Sequence, residues 1–356
     1  MVWLRHLAIN DLRNIRDVSL DLQSGLNVFC GRNAQGKTSL LEAVGLLARG
    51  RSFRTEDSPS LIRRGAGGLR TRGEVARDDR SNALEVELEP GRRQFRVDGR
   101  DVVPREYQGR LEVVVYSTDR LRVIRGSMRD RRQFLDRSAG ALWPSYRADV
   151  RAFERALTQR NAALREQSSD LDIWTERFVD LGARLRERRA AYAARLSTAL
   201  RDGFRPQDED YRVTLRPEVP ATASEMRQAL AGELRALTAR ERASGRTLAG
   251  PHRDTVMMLL NGRDAAIEAS SGQARSLLLA LVLATLEVYR EETGHTAVAL
   301  LDDLDSELDH DRTRALCAEV SGRAQTLVTS AHPGWAESLR DQGSVFRVSE
   351  GEVRCA

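Results

Sequence analysis

Gly31, Gly36, Lys37 and Thr38 fall in the stretch "GRNAQGKTSLLEA" at the spacing Gly-x-x-x-x-Gly-Lys-Thr. Residues of those types at that spacing suit one task, the holding of phosphate. Glycines let main-chain N–H groups curl around phosphate oxygens, and a helix that starts directly afterwards adds positive potential. On this reading Gly31, Arg32, Asn33, Ala34, Gln35, Gly36, Lys37, Thr38 and Ser39 hold ATP, and Thr38 ligates Mg²⁺. Composition supplies a second argument. All but one of the 57 basic side chains are arginine, and the exception is Lys37. A compact, mobile ammonium threads between β- and γ-phosphate oxygens, whereas a planar guanidinium is larger and bonds in another geometry.

The stretch "VALLDDLDSELDHD" brings carboxylates to the end of an apolar run. Asp302 is placed to meet the Mg²⁺ shell, directly or through water, and Asp303 to polarise the attacking water. A calcium loop would need a central glycine that is absent. A solvated acidic turn accounts for Glu307 and Asp311 better than for Asp302. Upstream, Ser270-Ser271-Gly272-Gln273 precedes a long apolar helix, so Ser270 and the N–H groups that follow make a second anion-binding helix start. A chain with its own P-loop has little use for another on the same phosphate, unless the second serves a second copy. That is the arrangement of ABC-type ATPases, in which the signature motif of one subunit completes the site of the other. Asp302, Asp303, Ser270 and Gln273 are therefore the expected catalytic set. An ordinary Ser-capped helix is the plain alternative for the signature.

These groups need elements to place them. "LNVFC" before the P-loop reads as a buried strand, and "TSLLEAVGLLA" after it has helical apolar spacing. "ALEVELE", "RQFRVDGRDVV" and "LEVVVYS" are strand-like, and Asp98-Gly99 marks a hairpin turn. From about Arg129 to Leu200 the chain turns to long amphipathic helices without sustained heptads. A strand-like "YRVTLRPEV" and one more helix follow. The last hundred residues return to the first style, with a hairpin "TVMMLLNGRDAAIEA" turning at Asn261-Gly262 and the strands "TAVALLDDLD" and "AQTLVTSAH". The expectation is an α/β domain discontinuous in sequence, residues 1–120 with 245–356, interrupted by a mainly helical portion at 121–244.

The net charge of +5 and pI near 9.5 are compatible with a polyanionic partner, although arginine bias alone is a weak argument. Cys30, Cys317 and Cys355 form no disulfide framework, which fits a reducing compartment. The N-terminal residues carry no secretory apolar region, and "LLLALVLA" is too short to span a bilayer. A soluble cytoplasmic protein with no membrane contact is expected.

The chain resembles the RecF family of bacterial recombination and repair ATPases. The resemblance is carried by "LRHLAINDLRNIRDVSLDLQSGLNVFCGRNAQGKTSLLEAVGLLARGRSFR", "YSTDRLRVIRGSMRDRRQFLDR", "WTERFVDLGARLRERR" and "RTLAGPHRDTV", the last being the most specific. Ala34 stands where that family usually has glycine, Thr118 where proline is expected, and the signature reads "SSGQAR" in place of the usual Gly-Gln-Gln form. None of these departures removes a charged catalytic group. The resemblance implies an ABC-type ATPase head similar to those of SMC proteins, with a helical lid and no long coiled coil. It implies weak DNA-dependent ATP hydrolysis, an ATP-dependent homodimer, and binding to single-stranded, double-stranded and gapped DNA. It also implies cooperation with RecR and RecO in loading RecA, within recombination, replication-fork maintenance and the SOS response. Two basic clusters suit such a partner: Arg120, Arg122, Arg125, Arg129, Arg131 and Arg132, then Arg184, Arg186, Arg188 and Arg189. Solvated helix faces are the plain reading of any one of them. His332 is placed to sense a γ-phosphate or merely to cap a helix, and His252 to sit at a structural junction.

Two rivals differ in class. A P-loop ATPase with nuclease activity, of the overcoming-lysogenisation type, would need a further carboxylate-rich metal site, and the middle portion shows none in sequence. A transporter ATPase subunit would dock membrane helices and would lack "GPHRD".

Overall fold

The computed structural model describes residues 1–55, 57–78, 80–203, 209–218, 222–304 and 310–356. It divides into two compact units, Met1–Arg120 with Tyr289–Ala356, and Leu121–Val288.

In chain order, β1 (Val2–Leu12) and β2 (Ile15–Asp21) are followed by β3 (Leu26–Cys30), α1 (Lys37–Arg49), β4 (Leu69–Arg77), β5 (Arg80–Glu89), β6 (Arg92–Val97), β7 (Arg100–Asp101), α2 (Pro104–Tyr107) and β8 (Val113–Tyr116). The second unit begins with α3 (Arg122–Arg125), α4 (Met128–Leu142), α5 (Pro144–Glu166) and α6 (Leu171–Asp202). Then come β9 (Tyr211–Arg216), α7 (Ala223–Ser244), β10 (Thr255–Leu260), β11 (Arg263–Asp264), α8 (Ala265–Glu268) and α9 (Ser271–Thr293). The chain closes with β12 (Val298–Leu301), α10 (His310–Ser321), β13 (Thr326–Ser330), α11 (Pro333–Glu337), β14 (Gly343–Ser349) and β15 (Glu352–Cys355).

Two sheets build the first unit. One runs β2-β1-β4-β5-β6-β7, with antiparallel pairing throughout. The other runs β15-β14-β3-β13-β12-β8 and is parallel except for β15. The parallel strands β3, β12 and β13 are buried at every position; β12 is an unbroken apolar run, whereas Asn27 of β3 and Thr326, Thr329 and Ser330 of β13 are buried polar groups with internal hydrogen-bond partners. Strand β1 alternates between buried and more exposed positions, as a one-sided antiparallel strand does. Helix α1 packs on β1, β4 and β5 of the first sheet and on β13 of the second. Its Leu40, Leu41, Val44 and Leu47 join one apolar cluster with Leu7, Val86, Phe29 and Leu327. A helix covered on both sides has to be apolar nearly all round, and eleven of its residues are buried.

In the second unit α5 and α6 pack together, α7 packs on α6, and β11-β10-β9 form a small antiparallel sheet. The 32-residue α6 is the longest described helix, so the described residues contain no long coiled coil. By compactness residues 245–288 go with this unit, because β10 is the central strand of its sheet. The hairpin expected across "TVMMLLNGRDAAIEA" is shorter than its sequence suggested. β11 stops at Asp264, whose carboxylate accepts the Ala266 N–H at 3.0 Å and starts α8. Among the described residues α9 is long and apolar enough to cross a membrane, but 61% of its most apolar 18-residue window is buried inside the protein, as in a core helix.

Candidate functional site

Because β3 ends at Cys30 and α1 begins at Lys37, the P-loop is the turn between a buried strand and a buried helix. Its glycines are demanded by close approach. A Cβ on Gly31 would lie 2.1 Å from the Val348 carbonyl oxygen. Gly36 has φ 111°, and a Cβ there would come within 3.0 Å of the Asn14 carboxamide. Ala34 has φ 65°, a left-handed conformation that costs a non-glycine residue on the order of 1 kcal/mol. That explains on local grounds why glycine suits this position better. Gln35 is pinned from behind: its Oε1 accepts the Glu350 N–H at 2.6 Å and its carbonyl the Gly351 N–H at 2.9 Å. Lys37 is buried, and its ammonium donates to the Gly31 and Arg32 carbonyls at 2.6 and 2.9 Å. Gly36 offers α1 no side-chain cap, so the first N–H groups of that helix are left for an anion. Arg32, Asn33 and Ala34 are exposed, and Ser39 donates to Asn14 Oδ1 at 3.3 Å.

Across the sheet, β12 delivers Asp302 to the same place. Thr38 Oγ1 and Thr329 Oγ1 both donate to Asp302 Oδ1, at 2.9 and 2.8 Å. Thr329 also accepts the Asp303 N–H at 2.8 Å, and Asp303 is held at φ 55°. Burial pushes the Asp302 carboxyl above the usual carboxylate range; the two hydroxyl donors oppose that rise and the Asp303 charge adds to it. The pair Thr38 and Asp302 is a hard-oxygen donor set of the kind Mg²⁺ takes, and a cation there would relieve the cost of ionising a buried acid. The Asp302→Asn protein should consequently melt at a higher temperature without nucleotide, while Mg–ATP binding weakens about tenfold or more. Calorimetry with and without Mg–ATP checks both. A lower melting point together with unchanged binding would contradict this reading of Asp302. Glu307 lies outside the described residues.

The signature stretch opens α9 in the second unit. Ser270 Oγ accepts the Gln273 N–H at 3.2 Å and Gln273 Oε1 accepts the Ser270 N–H at 2.9 Å, a reciprocal capping box. The other end of the Gln273 carboxamide donates to Glu209 at 2.9 Å, and Glu209 is bound in turn by the Tyr211 hydroxyl. Ser270, Ser271 and Gly272 are exposed. Thus Lys37, Thr38, Asp302 and Asp303 are brought together in one unit, and Ser270 and Gln273 stand together in the other.

The two arginine clusters do not survive as surfaces. Arg131 is fully buried, bonded to the Ile124 and Val256 carbonyls and to Asp264. Arg186 is buried between Asp254 and Glu233, and Arg189 pairs with Asp136 and the Pro251 carbonyl. Arg132 donates to the Asp254 carbonyl. Arg132, Arg186 and Arg189 tie down the "GPHRD" run and Arg131 ties α4 to β10 and Asp264; the buried guanidinium groups of Arg131, Arg186 and Arg189 cannot reach a DNA backbone. Arg188 is partly exposed beside Ser145 and Asp149. Arg122, Arg125, Arg129 and Arg184 are exposed, and Arg125 donates to the Ala269 carbonyl. Helical periodicity in the sequence could not separate the two sets, because acids from distant elements claim the buried ones.

His252 lies in the same junction, against Phe153 and Phe178, with Nε2 on the Thr247 carbonyl at 3.2 Å. Burial pushes its pKa down to about 4 from the ordinary 6.5. As pH falls from 6.5 toward 4 the unfolded chain takes up a proton that the folded one refuses, so stability falls. The loss is on the order of 2–3 kcal/mol. Urea unfolding of wild type and His252→Gln at pH 7 and 4.5 should show a smaller loss in the variant, and equal losses would contradict the assignment. His332 is exposed at the N-cap of α11, with its N–H on Ser330 Oγ at 2.9 Å. Sequence reasoning missed Thr329, which holds both Asp302 and Asp303, and Asn14, which backs Gly36. Neither belongs to a spaced motif.

The chain matches the family described as RecF/RecN/SMC N terminal domain over residues 3–354. It shares its fold with an Smc head domain from Pyrococcus furiosus, at 16% identity and TM-score 0.60, covering all of this chain and 96% of that one. This is the α/β ABC-type ATPase head of the SMC-like group. It is 33% identical to a "DNA replication and repair protein RecF" from Lacticaseibacillus paracasei, over 98% of this chain and 99% of the relative. A solved structure described as "the recombination mediator protein RecF-ATP in RecFOR pathway" superposes at TM-score 0.89 with 27% identity, covering 100% of this chain and 99% of the other. The chain belongs to the RecF family.

Proposed function

We propose that this chain is an ATP-driven DNA-binding switch of recombinational repair. The observation that carries the reading is the bond from Thr38 Oγ1 to Asp302 Oδ1. It joins residues 264 positions apart at the mouth of a loop built for phosphate. Gly31 to Ser39 would embrace the triphosphate, Lys37 its β- and γ-phosphates, and Thr38 and Asp302 a Mg²⁺ ion, which supplies charge neutralisation between phosphates when bound. Asp303 would orient the attacking water. Ser270, exposed at the start of α9, with the partly buried Gln273 beside it, would close the site of a second copy, so that ATP clamps a homodimer and slow hydrolysis releases it. In functional terms residues 1–120 with 245–356 act as the ATPase portion and 121–244 as the lid, since the signature serves the nucleotide.

The relatives' names support a role in DNA replication and repair, and the "RecFOR pathway" of the structural relative supports RecO and RecR as partners. Loading of RecA at gaps and work in the cytoplasm are part of this proposal, and the resemblance to RecF relatives supports them. The exposed Arg122, Arg125, Arg129 and Arg184 are the candidates for backbone contact. Affinity for gapped duplex should fall with salt at a log–log slope of about −0.9 per phosphate neutralised. A pull-down on gapped DNA across a salt series, with and without ATP, tests the reading. Binding that ignores both salt and ATP would refute it, and cleaved strands on the same gel would point instead to a nuclease.

A further inference from the structure

A cavity of about 560 Å³ lies within the second unit, and none of its lining residues belongs to the signature or the P-loop. Four arginines line it, Arg132, Arg165, Arg246 and Arg253, together with Asn161 and His252, and the lining holds no aspartate or glutamate. The acids behind its wall are committed elsewhere: Asp254 to Arg186, Asp136 to Arg189 and Glu241 to Arg160. Arg132 donates only to a main-chain carbonyl, that of Asp254. Among the described residues the side chains of Arg165, Arg246 and Arg253 meet no acceptor at all, although they converge on one cavity. Such convergence is repulsive unless an anion sits between the guanidinium groups.

Of the remaining lining groups, Asn161 fits the same occupant best. Asn161 Oδ1 already accepts from the Thr247 N–H and hydroxyl, at 2.7 and 2.8 Å, which leaves the amide NH₂ as a donor. His252 Nε2 is on the Thr247 carbonyl, and its Nδ1 is buried with no partner. Because a neutral ring that donates from Nε2 leaves Nδ1 an acceptor, His252 can meet only a protonated phosphate oxygen and adds no donor to the site. Met128, the first residue of the 15-residue α4, also lines the cavity, but the Ser127 and Asp130 N–H groups at that helix start are taken by the Ser127–Asp130 capping box, and the helix start adds nothing to the site. Forked guanidinium donors suit phosphate oxygens above other anions, and the volume admits a nucleotide-sized group.

We infer that this cavity is a second phosphate site, built by Arg132, Arg165, Arg246 and Arg253 with Asn161. Its ligand chemistry is a phosphate monoester, whose source is either the terminal phosphate of a DNA strand or a free phosphate compound. The DNA source rests on the DNA-binding reading above; the site itself does not.

Calorimetry with inorganic pyrophosphate on the full chain tests the site. Wild type and Lys37→Ala, which disables the P-loop, should both retain a pyrophosphate site. Arg246→Ser/Arg253→Ser should weaken that site by tenfold or more, while its melting temperature without ligand stays at or above that of wild type, since both side chains are exposed, unpartnered and mutually repelling. If Lys37→Ala alone abolishes pyrophosphate binding, or if the double variant binds as wild type does, the inference is overturned. A second arm compares recessed duplexes that differ only in a 5′-phosphate or 5′-hydroxyl, by fluorescence anisotropy. A preference for the phosphate that disappears in the double variant assigns the site to a strand end. Equal affinities, with the pyrophosphate result standing, assign it to a free phosphate compound. Absence of any DNA binding defeats the DNA reading and leaves the pyrophosphate arm to decide the site.

Discussion

Lys37→Arg should cost about tenfold to a hundredfold in ATP affinity or hydrolysis, although it conserves charge in a protein that otherwise uses arginine for every basic side chain. The geometry gives the reason. Lys37 is 6% exposed and its Nζ sits 2.6 and 2.9 Å from two loop carbonyls, inside a turn closed behind by Val348 and Asn14. A single tetrahedral ammonium can leave those carbonyls for phosphate oxygens in the same small space. A guanidinium is planar and wider, and it would have to push the loop off β14 to fit. Nucleotide titration and a steady-state ATPase assay read this out, with Arg184→Lys as a control that should leave both values unchanged. Wild-type behaviour of Lys37→Arg would remove the reason for placing phosphate at this loop.

The second large effect is expected at Ser270. Its hydroxyl and the Gln273 carboxamide form the exposed box that opens α9, so a substitution there leaves the core packing untouched. Ser270→Arg removes one cap, at about 1 kcal/mol, and puts a bulky cation on the surface that is proposed to meet the partner's γ-phosphate. ATP should still bind each subunit, because the P-loop, Thr38 and Asp302 belong to the other unit. Closure of the pair should fail, so hydrolysis should fall about a hundredfold or more, and light scattering with ATP should report monomer. Asp303→Asn should do the opposite, trapping an ATP-bound dimer that hydrolyses slowly. A Ser270→Arg protein that dimerises normally would contradict the shared site.

How legible this was in the sequence varied with the range of the interaction. The P-loop, its flanking strand and helix, and Asp302 at the end of β12 were readable because each depends on a local pattern: spacing, an apolar run, a helical period. The hairpin turns at Asp98-Gly99 and Asn261-Gly262 were readable for the same reason, both residues of each adopting positive φ. The antiparallel order β2-β1-β4-β5-β6-β7 was not, because pairing partners along a sheet leave no mark on either strand alone. Thr329 was invisible because its role is to bond two acids reached from another strand. The arginines failed most instructively. Arg184 and Arg186 are two residues apart on one helix, yet one is exposed and the other is locked to Asp254 and Glu233. Only the positions of those acids in the fold decide which guanidinium is free to meet a phosphate, and within "GPHRD" Asp254 takes Arg186 and the Pro251 carbonyl takes Arg189. The cavity with its four converging arginines had no signal in sequence, since its walls come from α4, α5 and the segment after α7.

The central proposal is a nucleotide site shared between two copies of the chain. The direct test mixes Lys37→Arg with Ser270→Arg, each nearly inactive alone, and measures ATP hydrolysis across mixing ratios. A mixed pair holds one intact P-loop facing one intact signature. Activity should therefore reappear, peak at equal amounts, and approach half of that of a wild-type pair for each mixed dimer formed. If the mixture hydrolyses no faster than the sum of its separate components, the site is not shared and the proposed mechanism is wrong.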